Sequence, residues 1–275
     1  MSVDTSLEVL SDNLWHLTHR VAERLRSGRV LLLGGAAHTL SPSGGFGMNT
    51  GIAAAANLGW KLAAALAGWA GPDLMDSYAA ECGPIAVRSL EEANRNLRRT
   101  LDRSLPPELD HDGVDGRAVR AAMARRLEQS GVDREFRSVW VHLGTRYRST
   151  VVVDDGTPES PPGPDGWSPS AAPGCRAPHV DLGGSSTIDL FGAGYRLVVC
   201  DGAGPGALAG AEELAAAFAE RAVPFQLAPL PGQRVRDAYG APLVLVRPDG
   251  HVAWRAASVP DDPGALVDTV RGGAW

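Results

Sequence analysis

The chain has 275 residues, 44% of them hydrophobic, and a formal net charge of −6 at neutral pH. That length supports one large or two ordinary domains with a sizeable core, and the acidic balance argues against a nucleic-acid partner. No apolar run reaches the ~18 residues of a membrane span, and MSVDTSLEVL lacks the basic and apolar regions of a signal peptide, so a cytoplasmic location is expected.

In chain order, Val30–Leu33 is a continuous apolar run ending at Gly34-Gly35 and reads as a strand buried on both faces. A loop rich in Ser, Pro and Gly follows from Ser41 to Gly47. A helix is predicted from about Met48 to Trp69, with Ile52, Leu58, Leu62 and Leu66 on its apolar side. Lys61 in this helix is the only lysine in the chain. Gly71-Pro72 ends the helix, and Asp73 can cap a second one carrying Tyr78, Cys82, Ile85, Leu90, Leu97 and Leu101. Pro84 is expected to split off its first turns. A third helix spans Arg117–Gln129, with its basic residues on a solvated face. Trp140–Val153 reads as strand, placing His142 and Tyr147 on it and Trp140 in the core.

The stretch from Asp154 to Pro178 is crowded with Pro, Gly and Ser and reads as a linker. Beyond it, Thr187–Phe191 and Tyr195–Cys200 read as strands and Ala211–Ala222 as a helix. Phe225–Leu230 is a further strand and Arg234–Tyr239 a short helix. Leu243–Arg247 and Val252–Arg255 form a hairpin across Pro248-Asp249-Gly250, and Pro263–Arg271 is a last helix. This order is thioredoxin-like. The three cysteines, Cys82, Cys175 and Cys200, are far apart, offer no metal-ligand spacing, and read as reduced thiols. Cys200 has no C-x-x-C partner, so its reading is structural.

The segment Gly28–Tyr78, GRVLLLGGAAHTLSPSGGFGMNTGIAAAANLGWKLAAALAGWAGPDLMDSY, closely resembles the second FAD-binding motif of the aromatic-ring hydroxylases. These are the flavin monooxygenases of the p-hydroxybenzoate and polyketide hydroxylase type. PGCRAPHVDL and STIDLFGAGYRLVV likewise resemble the entry to the family's C-terminal domain, and His179 belongs to its PH dipeptide. The resemblance implies an α/β architecture: a remnant of an FAD-binding domain over 1–153, a linker over 154–178 and a thioredoxin-like domain over 179–275. It also implies that Pro42, Gly44, Gly45, Gly47, Met48 and Asn49 run along the isoalloxazine, with backbone N–H groups at its N1/O2 edge. Glycines permit that close approach, and a helix N-terminus favours negative charge.

Two departures matter. Gly35 stands where the family has an aspartate that binds the ribityl chain, and Phe46 replaces a common glutamine. No G-x-G-x-x-G follows a strand, the run Asp201–Ala207 reads as a turn, and the family's aspartate-glycine motif is missing. The dinucleotide-binding front half is thus expected to be absent, leaving no cofactor for the isolated chain, or FAD if a partner completes the site. Three functions follow from the resemblance. The favoured one is a polyketide-tailoring protein that acts on a polycyclic aromatic without flavin, by cyclisation, dehydration or isomerisation. The others are one half of a split FAD/NADPH-dependent monooxygenase, and a non-catalytic partner of a full-length hydroxylase. His38 is the one catalytic candidate, an imidazole beside the glycine-rich crevice, with a structural role as its alternative. Ser41 and Ser43 read as turn residues. An uncovered apolar strand at Val30–Leu33 invites association, so a homodimer or a complex with another pathway protein is expected.

Overall fold

A computed structural model describes residues 8–273 apart from 15, 102–104, 162 and 164. Residues 1–7, part of the segment read for a leader, lie outside the described residues.

Between Arg20 and Thr39 the chain forms only very short strand pairs. β1 (Arg20–Val21), β2 (Arg26–Ser27), β3 (Val30–Leu31) and β4 (His38–Thr39) are each two residues long. β1 pairs antiparallel with β4, and β2 with β3. Val30–Leu33 is therefore not a strand buried on both faces. Val30 is 65% exposed, because its backbone turns back on Ser27 through Gly28 instead of entering a sheet. A 3-10 turn over Gly34–Ala36 leads into β4.

Two long helices follow, α1 (Phe46–Ala67) and α2 (Leu74–Leu101). α1 ends at Gly68, whose φ of +80° closes the helix in the left-handed region. Of its predicted apolar side only Leu58 is buried. Thr50, Ala54, Asn57, Leu58, Trp60, Lys61 and Ala64 face inward, while Ile52, Leu62 and Leu66 are exposed. The inward face is polar because it meets a charge network, described below. α2 passes through Pro84 unbroken. Pro84 is exposed, so solvent can serve the carbonyl that its missing N–H leaves free. α3 (Val114–Ser130) is almost wholly solvated, as its composition implied. α4 (Val139–His142) is one helical turn. The strand expected over Trp140–Val153 does not form: this stretch starts helical, then runs irregularly to the Val153 N–H bond with the Ala253 carbonyl at 2.9 Å.

The C-terminal part has the expected topology. β5 (Tyr195–Cys200), α5 (Pro205–Glu220), β6 (Phe225–Leu230), α6 (Gln233–Tyr239), β7 (Leu243–Val246), β8 (Val252–Ala256) and α7 (Pro263–Val270) follow in turn. The sheet order is β6-β5-β7-β8, with β5 and β6 parallel and the other pairs antiparallel. A crossover helix links the parallel pair, a hairpin follows, and α7 packs back, which is the thioredoxin arrangement. Thr187–Leu190 is a 3-10 turn and not a strand, because Ser186 and Asp189 form a reciprocal capping box around it. Cys200 is buried at the end of β5, and burial pushes its thiol up to about 11.

The Pro/Gly/Ser-rich stretch ends as a strap beside β8. Gly174 N–H bonds to the Val252 carbonyl at 2.7 Å, Val252 N–H to Cys175 at 2.9 Å, and Ala177 N–H to Gly250 at 2.9 Å. The helical and thioredoxin-like parts also share one core. Trp60, Ala64, Trp69 and Leu74 cluster with Tyr195, Leu214, Phe218 and Val267, and Trp60 meets Tyr195 edge-on at 6.0 Å.

Beside that core lies a charge-balanced quartet with no solvent exposure beyond 1%. Glu81 of α2 accepts from Lys61 Nζ at 2.7 Å, Asn57 Nδ2 at 2.6 Å and Ser149 Oγ at 2.6 Å. Arg247 donates through both terminal nitrogens to Glu81, at 2.6 and 3.0 Å. It also reaches Asp249 at 2.5 Å, and Trp60 Nε1 donates to the same Asp249 carboxylate at 3.1 Å. The Arg247 guanidinium lies over the Trp60 and Tyr147 rings, at 5.2 and 5.4 Å. Burial disfavours the charge on Glu81, but Arg247 and Lys61 more than offset this and hold its carboxyl down at about 2. Burial lowers Lys61 to about 8 against the pull of Glu81, with Arg247 adding repulsion.

Removing one member of such a set strands the others. Arg247→Met should cost roughly 3–5 kcal/mol, read as a lower unfolding temperature at pH 7. The depressed Glu81 carboxyl stabilises the fold fully above its ordinary range near 4.5, and that stabilisation is lost as pH falls toward about 2. Thermal unfolding followed from pH 5 to pH 2.5 should show the loss, and Glu81→Gln should show less of it.

Candidate functional site

The glycine-rich loop is held from below and open above. Ser41 Oγ accepts from the Ser43 N–H at 3.2 Å, and the Gly45 N–H closes a turn onto the Pro42 carbonyl at 3.0 Å. Both serines thus act in the turn. Gly45, with φ of +66°, caps α1. Gly44, with φ of +88°, has no room for a side chain: an added Cβ would lie 2.7 Å from the Phe46 ring and 2.9 Å from Asn96 Nδ2. Phe46 itself is fully buried against Ala93, Trp140 and Val141, with its ring 5.3 Å from that of His142. The residue that departs from the family pattern is therefore the anchor of the loop.

The other side is bare backbone. Added Cβ atoms at Gly34, Gly35, Gly45 and Gly47 would meet nothing within 4 Å. Pro42, Met48 and Asn49 are exposed, and Asn49 Nδ2 donates to the Gly45 carbonyl at 2.9 Å, steadying the first turn of α1. Of the six residues read as cofactor-binding, Pro42, Gly45, Gly47, Met48 and Asn49 lie on the open side, as a strip at the helix N-terminus, while Gly44 faces the packed side. Glu135 closes one margin: its Oε1 accepts from the Gly44 N–H at 3.2 Å. Sequence reasoning missed Glu135, because nothing local marks a contact across 91 residues.

His38 is placed differently. It is 7% exposed on β4, and neither ring nitrogen has a hydrogen-bond partner among the described residues. Burial lowers its pKa, which leaves the imidazole neutral. It lines a small cleft with Gly34, Thr50, Tyr78, Cys82 and Tyr147, which none of the residues from Pro42 to Asn49 lines. Tyr147 lies in irregular chain, not on a strand, with its ring 4.3 Å from that of His251. His142 sits on α4, and His179 Nδ1 is 2.6 Å from Ser186 Oγ. Among the described residues no group of His, Cys, Asp and Glu could hold a metal, and no helix is long and apolar enough to cross a membrane.

The strip fits the edge of a flat ring, since a bare backbone surface and a helix N-terminus are what such an anionic edge needs. The glycine-rich turn after β5 offers no such surface at Gly202. The turn after β5 is blocked: Arg236 lies 2.1 Å from where a Gly202 side chain would start, and Asp201 binds the Gly232 N–H.

Residues 2–93 match the FAD binding domain family, and residues 170–272 match the C-terminal domain of the aromatic-ring hydroxylases. The chain belongs to the FAD-dependent aromatic-ring hydroxylase family. Its similarity to the FAD-dependent monooxygenase apdD of Emericella nidulans is 38% identity, covering 84% of this chain and 38% of that protein. To the tetracenomycin A2 monooxygenase-dioxygenase of Streptomyces glaucescens it is 36%, covering 93% and 43%. The fold superposes on the rebeccamycin biosynthetic enzyme RebC with reduced flavin at a TM-score of 0.89 and 53% identity, over 99% of this chain and 50% of RebC. On aklavinone-11 hydroxylase with FAD and aklavinone the values are 0.69 and 32%, over 94% and 46%. This hydroxylase-family chain thus spans about half the length, or less, of the relatives it matches.

The two sides of the loop make opposite predictions for glycine substitutions. Gly44→Ala should cost about 1–3 kcal/mol through its backbone conformation and the Phe46 contact. Gly47→Ala, in open space within a helix, should leave the unfolding temperature unchanged or slightly raised. Thermal unfolding of the two variants checks this.

Proposed function

We propose that this chain supplies the isoalloxazine-edge half of an FAD site in a tailoring enzyme for polycyclic aromatic substrates of the polyketide type. The pyrophosphate half would come from polypeptide carrying a glycine-rich dinucleotide-binding unit. The observation that carries the proposal is the unobstructed backbone at Gly45 and Gly47 at the start of α1, with Gly34 and Gly35 of the 3-10 turn likewise unobstructed. Bound FAD would supply oxidative chemistry on the aromatic ring. The first amides of α1 would hold negative charge at the ring edge, Asn49 and Glu135 would keep the loop in shape, and Gly44 would let Phe46 seat it from below. His38 is buried and neutral in a small cleft that Gly34 also borders, and a structural role is proposed for it.

A second reading keeps the same ancestry without flavin. Gly35 favours it, since glycine cannot bind the ribityl chain. In that case the crevice would bind the aromatic substrate and promote cyclisation, dehydration or isomerisation; a non-catalytic partner role is its limiting form. Association is proposed in either case, with a second copy or with another pathway protein. Met48, Ile52 and Leu66 on α1, together with Val30, present exposed apolar side chains for it.

Flavin titration separates these readings. The chain alone should bind FAD weakly, and Gly35→Asp, for which the structure has open space, should tighten binding by about ten- to a hundredfold. Co-expression with a dinucleotide-binding unit should give a yellow complex. A colourless protein in all three cases would transfer the case to the flavin-free reading, and turnover of a polycyclic aromatic without NADPH would then test it. Light scattering should show a dimer or complex; a lone monomer would remove the association.

A further inference from the structure

A cavity of about 330 Å³ lies between α2, α4 and residues of the stretches 158–161 and 167–179. None of the residues Pro42–Asn49 lines it, so it is separate from the flavin strip. Its size falls in the range of small-molecule clefts. The walls are mixed: Leu143, Trp140, Trp167, Pro158, Pro169 and Pro178 supply apolar and aromatic surface between charged groups that include Arg88, Arg176 and Glu159. Trp167 has a built seat. An added Cβ at Gly144 would lie 2.7 Å from its ring, so only glycine lets the indole pack there.

One wall residue, Arg88, makes no close ion pair among the described residues. Arg88 of α2 makes two long hydrogen bonds, 3.4 Å each, to the carbonyls of Gly144 and Trp140. Its guanidinium lies over the Trp140 ring at 5.0 Å. Glu159, which lines the same cavity, and Glu92 act on it as charges without a close pair, Arg95 opposes them, and Glu159 is itself engaged by Arg148 at 2.9 Å. Arg146, in the same wall, is by contrast fully used, by the carbonyls of Pro173 and Thr157 and by Asp154. The Trp140 indole N–H, buried at the same end, has no acceptor among the described residues. A half-buried guanidinium with only weak neutral partners gains most from an anion.

We infer that this cavity is a second ligand site, independent of flavin, which takes a planar aromatic carboxylate, with the ring between Trp167 and the proline walls and the carboxylate on Arg88. The wall thiol of Cys175 takes no part, because burial raises its pKa and keeps it protonated.

The test is a calorimetric and tryptophan-fluorescence titration of the full chain with 2-naphthoate, in the absence of flavin. Saturable one-to-one binding is expected, and 2-naphthalenemethanol, the same ring without charge, should bind about tenfold or more weakly. Arg88→Gln should bring 2-naphthoate down to the level of the alcohol and leave the alcohol unchanged. Ser168→Trp, at an exposed wall position, should abolish binding of both; circular dichroism confirms that each variant is folded, and Ser168→Trp decides alone if Arg88→Gln is not. The inference is overturned if 2-naphthoate does not saturate, if neither variant weakens it, or if inorganic phosphate binds as tightly.

Discussion

The structure depends on one buried arrangement of charge: Lys61 and Arg247 against Glu81 and Asp249. Two of these residues come from long helices and two from the hairpin between β7 and β8, so the quartet joins parts of the chain that sequence separates by more than a hundred positions. Burying four ions is costly unless each is paired and hydrogen-bonded. Here each is, with Asn57, Ser149 and Trp60 filling the remaining positions. Such an arrangement tolerates one geometry well and displaced ones poorly, so it sets the register of α1 and α2 against the thioredoxin-like sheet more sharply than apolar packing would.

That register reaches the candidate site through α1. Lys61 and Trp60 are locked near one end of this helix, while its other end begins at the glycine loop. Phe46 extends the grip beneath the loop, into the pocket formed by Ala93, Trp140 and Val141. The exposed glycine strip is therefore an unsupported surface on a supported backbone. A cofactor-binding edge needs that combination, since the donors must be held in place before the ligand arrives. The thioredoxin-like part, with its buried and protonated Cys200, serves this chain as a brace rather than as a redox unit.

The apolar side predicted for α1 used Ile52, Leu62 and Leu66, and these proved exposed. Periodicity assigns a helix its apolar face, but it cannot anticipate a core built from a lysine, an asparagine and a tryptophan N–H whose partners lie on other elements. Likewise, Val30–Leu33 carried the composition of a buried strand, yet composition does not supply a neighbour, and the local turn at Gly28 took the backbone instead. The stretch from Trp140 reads as strand because β-branched and aromatic residues are dense there, yet it begins as a helical turn and finds no strand partner over its length.

What the sequence determined by itself was local chemistry. The run from Gly34 to Asn49 identified the family and the loop, because glycine positions constrain the backbone wherever they fall. The alternation of strands and helices after Tyr195 was enough for the thioredoxin order, because each element is short and bounded by turns. Only the tertiary structure decided which side of α1 is buried, that Glu135 closes the loop, that His38 is buried without a hydrogen-bond partner among the described residues, and that the sole lysine is a buried ion. Each of these depends on which distant residues meet, and a pairing across the fold leaves no period or motif along the chain.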